Sequence, residues 1–124
     1  MSRGFTLIEL MIAMALSMVG LLGLLALQTS AIRGNGLSRN FQEATALAQD
    51  KLEERMTVPW ANLTAGTTTD PSPVATIYQT SYTRSTLTVI NGANATMKVT
   101  VSWTEELAST TVPHSVVMTD VRTQ

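Results

Sequence analysis

One carboxylate interrupts an otherwise uncharged stretch: between Arg3 and Arg33 the only ionisable side chain is Glu9. A carboxylate near the end of an apolar helix is costly in hydrocarbon unless it is paired or reaches the interface, and such residues are usually functional. Other residues able to do chemistry are sparse. The chain has one histidine, His114, and no cysteine, which excludes disulfides, thiol catalysis and cysteine-ligated metal sites. A Ser–His–Asp site would have to be built on His114, which follows Pro113 and reads as an exposed residue at a strand end. Glu105, Glu106 and Asp120 could offer oxygens to calcium, but the spacing of an EF-hand is missing, and Glu105-Glu106 reads as a solvated loop. Gly20 and Gly23 sit inside an apolar run and suit close helix approach rather than phosphate binding. The residues point to no enzyme activity, no cofactor and no metal.

The elements that carry these residues follow from how charge is distributed. With 124 residues there is room for one small domain. Only 14% of residues are charged and the net charge is −1, so nothing in the balance points to nucleic acid. From Leu10 to Ile32 there is no charge at all. About 20 helical residues cross the roughly 30 Å hydrocarbon core, and a run starting at Phe5 is long enough. It also exceeds the usual apolar core of a secretory signal peptide. Arg3 and the N-terminal amine favour an N-in orientation.

The residues Arg3-Gly4-Phe5-Thr6-Leu7-Ile8-Glu9-Leu10 resemble the signature of type IV prepilins and type II secretion pseudopilins. The resemblance implies a leader peptide, residues 1–4, cut by prepilin peptidase between Gly4 and Phe5. It implies N-methylation of Phe5 and a role for Glu9 in subunit registration and assembly. In a filament, the new N-terminal amine of one subunit would neutralise the glutamate of a neighbour inside an apolar helix bundle. An unpaired buried charge is strongly penalised, so such a pair would set axial register. The family further implies other minor pilins and the major pilin as partners, and inner-membrane lipid before assembly. It implies a single-pass protein of the bacterial inner membrane, with its C-terminal domain in the periplasm, that is assembled into a cell-surface pilus.

Beyond the apolar run, Leu37, Phe41, Ala44, Ala48, Leu52 and Met56 recur at three- and four-residue intervals, the pattern of an amphipathic helix. Arg39, Glu43, Asp50, Lys51, Glu53 and Arg55 are expected on its solvated surface. Gly34-Asn35-Gly36 lowers helix propensity and makes a kink plausible; Val58-Pro59 is the expected stop. Residues 61–74 read as a loop. Thr80 to Ile90 and Met97 to Trp103 read as strands joined at Asn91-Gly92, a hairpin signal. A third strand is expected from His114 to Val121, after a loop holding Glu105, Glu106 and Pro113. Ile77 and Tyr78 would add a short edge strand. Sixteen of the twenty threonines lie from Thr64 onward, where a β-branched polar residue suits the solvated face of a sheet.

The expected fold is therefore α+β: a long N-terminal helix packed on a small antiparallel sheet of three to four strands. Its parts are a membrane-spanning or filament-core helix over residues 5–32, an amphipathic half over 33–57 and a sheet region over 58–124, with 33–124 forming one globular domain. Within the family, residues 20–28 and 47–56 look most like PilV-type minor pilins. There is no helix-bending proline before Pro59 and no cysteine for a disulfide-closed C-terminal loop, unlike common major pilins. The expected function is that of a minor type IV pilin that helps prime or assemble the pilus and sits at its tip. The alternative is a minor pseudopilin of type II secretion.

Overall fold

The computed structural model describes residues 6–124 apart from 72, 78, 79, 108 and 109; the side chains of Thr76 and Leu107 are also outside the description. One helix, α1 (Leu7–Thr57), precedes a 3₁₀ turn (Trp60–Asn62) and five strands: β1 (Gly66–Thr69), β2 (Ala75–Ile77), β3 (Thr80–Asn91), β4 (Asn94–Leu107) and β5 (Thr110–Thr123). The chain divides into two compact units, Met1–Ser38 and Arg39–Gln124. The expected α+β architecture of a long helix on an antiparallel sheet is observed.

The helix does not break at Gly34 or Gly36; both lie within α1. Two glycines cost it roughly 1 kcal/mol each relative to alanine, too little to interrupt a helix of 51 residues. Val58-Pro59 stops it, as expected: the residue before proline is pushed out of the helical region.

In the second unit, four strands pair in the order β1-β3-β4-β5, all antiparallel, and β2 extends the β1 edge by pairing with the start of β3. The loop expected over residues 61–74 is therefore corrected: it contains the 3₁₀ turn and β1. Gly66–Thr69 lacks the apolar alternation that marks a half-buried strand, because all four residues are exposed at an edge. Asn91 pairs with Asn94, so the β3–β4 turn is Gly92-Ala93, one residue later than the Asn91-Gly92 signal. Gly92 has φ +59°, a conformation in which a Cβ is strained. The short strand expected at Ile77 and Tyr78 is found as Ala75–Ile77; Tyr78 lies outside the described residues.

The period-2 pattern of β4 works as expected. Ala95, Met97, Val99, Val101 and Trp103 are buried under the helix, and their odd numbering places them on one face. Met97, Val99, Val101 and Trp103 meet Tyr82 from β3 and Ala44, Ala48 and Leu52 from α1, with Leu47, Met56, Val116 and Met118 packed at the margin. Alanines at 44 and 48 bring the helix backbone close to the sheet. Phe41, Trp103 and His114 close one end of this core: Phe41 meets Trp103 edge-on at 4.9 Å between ring centroids, and His114 stacks on Trp103 at 5.5 Å.

Buried charge locks helix to sheet. Lys51 was expected on the solvated side of α1, but it is 7% exposed. Its ammonium bonds Glu54 at 2.8 and 2.9 Å and lies 3.5 Å from Asp70. Arg84, on the core face of β3, donates to Asp70 at 2.6 Å and to the Leu47 carbonyl at 3.0 Å. Burial pushes the Asp70 carboxyl up, but the Arg84 hydrogen bond and the charges of Arg84 and Lys51 outweigh it and hold the carboxyl below its ordinary range. At the other end of the helix, Arg122 donates to the Met56 and Val58 carbonyls at 3.0 and 2.6 Å, satisfying acceptors that a helix C-terminus leaves open.

Candidate functional site

Among its described residues, the first unit has no enclosed core of its own. Every large apolar side chain from Leu7 to Ile32 is more than half exposed, with values from 56% to 78%. At 1.5 Å per residue, Leu7 to Leu27 spans ~30 Å, the thickness of a hydrocarbon core. Fully burying one such side chain is worth about 1.5–3 kcal/mol, so this surface calls for lipid or other helices around it. The helix is long and apolar enough to cross a membrane.

Polar groups within this span are handled locally. Ser17 donates to the Ala13 carbonyl at 2.9 Å and Thr29 to the Leu25 carbonyl at 3.0 Å. Such bonds to the preceding turn satisfy hydroxyls without a partner chain. Glu9 is different. Its backbone amide bonds Thr6, both the carbonyl at 3.1 Å and the hydroxyl at 3.4 Å. Thr6 thus takes the helix N-cap and Glu9 the third helical position, the Thr-x-x-Glu spacing of a capping box. The Glu9 side chain is exposed and makes no ion pair among the described residues, so its carboxylate is available to a group from outside them. The positive end of the helix dipole favours a negative charge there. Gly4 and Phe5, the expected cleavage and methylation residues, lie outside the described residues.

The other residues weighed for chemistry do not form a site. His114 is not an exposed strand end: it lies inside β5, half-buried between Trp103 and Phe41, with Nε2 3.3 Å from Glu105 Oε2. Glu105 and Glu106 are in β4 and Pro113 is in β5, not in a loop. Asp120 stands opposite Met97, eight residues along β4 from Glu105, or ~26 Å at strand rise. No group of three or more potential metal ligands occurs among the described residues. What sequence reasoning missed is the Lys51–Asp70–Arg84 network. Its members are separated in sequence, and the only signal was a cation at a core-facing position of β3.

The Tyr82 hydroxyl donates to Glu43 at 2.9 Å. Burial and the neighbouring Glu43 carboxylate push its pKa far above the ordinary range. This contact ties the start of the packed half of α1 to β3 and has no reacting partner.

Comparison with known proteins falls on the same end of the chain. Residues 1–25 match the prokaryotic N-terminal methylation motif. No curated protein and no solved structure matches the chain. The motif covers the segment in which Thr6 caps the helix and Glu9 stands as the one charge of the apolar span. On that motif and the exposed apolar helix it opens, the chain carries the N-terminal signature of a type IV pilin-like protein, pilin or pseudopilin.

Proposed function

We propose that the protein is a minor type IV pilin, a structural subunit that helps prime or assemble the pilus and sits at its tip. The observation that carries this reading is the exposed apolar helix with Glu9 in its first turn, inside a methylation motif. Cleavage by prepilin peptidase after Gly4 and methylation of Phe5 would leave a positive amine close to Glu9. In the membrane the helix is solvated by lipid; in a filament it packs against the helices of other subunits. Glu9 then accepts the N-terminal amine of a neighbour, and the cost of leaving either charge unpaired fixes the register. The β-sheet unit lies in the periplasm before assembly, where it meets other minor pilins and the major pilin. The role is structural rather than catalytic.

The absence of cysteine and of any proline before Pro59 supports a minor rather than a major subunit, most like the PilV type. Deleting the gene while scoring surface pili and exported proteins separately tests the assignment. Loss of pili with normal export is expected. Normal pili with defective export would instead make the protein a minor pseudopilin of type II secretion.

A further inference from the structure

Two of the chain's five asparagines, Asn35 and Asn91, are followed by glycine. An Asn-Gly pair carries its own chemistry. The amide nitrogen of the second residue can attack the side-chain carbonyl carbon of the first, and glycine has no Cβ to obstruct the approach. By exposure the two sites are alike. Both asparagines are exposed, and their side chains make no hydrogen bond among the described residues. A Cβ at Gly36 or at Gly92 would meet nothing within 4 Å, so no packed neighbour crowds either site.

The backbone separates them. Gly36 lies inside α1, where its amide is committed to the carbonyl four residues earlier. Closing a five-membered ring on Asn35 needs the following peptide to turn out of the helical path, so α1 must first open there. Interrupting a helix in its interior means nucleating it again, at a statistical weight of about 10⁻³. Asn91 stands instead at the last pair of β3 and β4, opposite Asn94, with Gly92-Ala93 as the turn between them. A two-residue turn bonds its closing pair and leaves the amide of its first turn residue pointing away. Among the described residues the Gly92 amide makes no turn bond. Rotating Asn91 costs the closing pair alone, while the pairs from Thr83–Ser102 to Ile90–Ala95 hold the hairpin. Ladder ends open at the lowest free energy.

We propose that Asn91 is a self-modification site, which the Gly92 amide converts through a succinimide to aspartate and isoaspartate, and that α1 protects Asn35 from the same reaction. In the first step the bond from Gly92 N to Asn91 Cγ forms and the bond from Cγ to Nδ2 breaks. The Gly92 amide proton leaves with the side-chain nitrogen as ammonia. In the second step solvent water opens the ring. Cleavage at Cγ gives aspartate. Cleavage at the backbone carbonyl gives isoaspartate, in which the chain runs through the side-chain carbon. Nothing is oxidised or reduced.

Either product puts a carboxylate on the exposed hairpin tip and makes the net charge, −1 in the unmodified chain, one step more negative. Isoaspartate also adds a carbon to the main chain at residue 91. The pair with Asn94 then no longer closes in register, and the Gln124 amide loses the fixed Ala93 carbonyl that it bonds at 2.8 Å. The change stays at the tip, because the buried face of β4 begins at Ala95. The reaction does not rest on the pilin reading.

Incubating the full-length chain in detergent micelles, in mildly alkaline buffer that favours loss of the amide proton, tests the proposal. Tryptic peptides 34–39 and 85–98 isolate the two sites, and fragment masses separate Asn91 from Asn94. At Asn91 the mass gain of replacing NH2 by OH is expected, with isoaspartate among the products. It should appear at least about tenfold faster than at Asn35, a fraction of what the nucleation weight allows. In denaturant both sites are expected to react at similar rates. Asn91→Gln, which would need a six-membered ring, is expected to keep its amide. Similar rates at Asn91 and Asn35 in the folded chain would overturn the proposal. So would a folded chain that keeps the Asn91 amide while the denatured chain loses it. Loss of the amide from Asn91→Gln at the native rate would also overturn it, by showing direct hydrolysis without Gly92.

Discussion

The Thr6 hydroxyl accepts the Glu9 amide at 3.4 Å, which sets the only carboxylate of the apolar span in the first turn of α1. Two roles for Glu9 follow from this geometry, and they differ chemically. As a capping-box residue it needs only a side-chain acceptor, which glutamine also supplies. As the partner of a neighbour's amine it needs its negative charge.

Glu9→Gln separates the two roles. Both Glu9→Gln and Glu9→Leu are expected to insert in the membrane normally yet to co-purify with pili poorly. If Glu9→Gln enters filaments as the native chain does, its role is capping and not charge pairing.

Arg122 holds two carbonyls at the end of α1. Arg122→Ala leaves both without a donor at a part-buried site, at a cost of about 1–3 kcal/mol. Denaturant unfolding should show this as a lower midpoint with an unchanged slope. An unchanged midpoint would mean that water replaces the guanidinium without loss.

Asp70 links Lys51 and Arg84 and has its pKa held below the ordinary value. A depressed folded pKa contributes stability that is fully present above the unfolded value and is lost as pH falls through the folded one. The native protein is therefore expected to lose stability below about pH 4, the range of an unperturbed aspartate. Asp70→Asn removes that part of the acid limb and lowers stability at neutral pH by about 3 kcal/mol, because the buried Arg84 keeps only the exposed Asp50 carboxylate, 3.8 Å away. Thermal unfolding across pH 2–7 checks both effects, and an acid limb of the same steepness in Asp70→Asn would refute the assignment.

Gly34 and Gly36 lie inside a continuous helix with open space where a Cβ would stand. Replacing both with alanine is expected to raise helix stability by about 0.5–1 kcal/mol each. Circular dichroism should show equal or greater helicity and later melting. Reduced helicity would show that the helix bends at these positions in solution.

Much of this was legible in the sequence because it was written in periodicity. The uncharged run from Leu10 to Ile32, the three-four spacing from Leu37 to Met56 and the alternation from Met97 to Trp103 each named an element, and the last two also named its buried face. The misses have a common cause. Lys51, Arg84 and Asp70 are charged, so pattern reading assigns them to water, whereas together they satisfy one another inside the packed unit. Threonines 67–69 gave no strand signal because an edge strand exposed on both faces needs no apolar alternation. His114 and Glu105 looked like loop or strand-end residues because Pro113 suggested a boundary. Proline is tolerated there because its nitrogen faces the open edge of β5. The candidate site was legible through one contrast, a single carboxylate in an apolar helix. The capping bond from Thr6 needed coordinates.

The central claim concerns what happens before Glu9 can act, and mass spectrometry of the mature N-terminus in the native host tests it most directly. A chain that begins at N-methylated Phe5 is the result predicted. A chain that keeps Met1, or one cut beyond Ala26 as a secretory signal would be, would contradict the account.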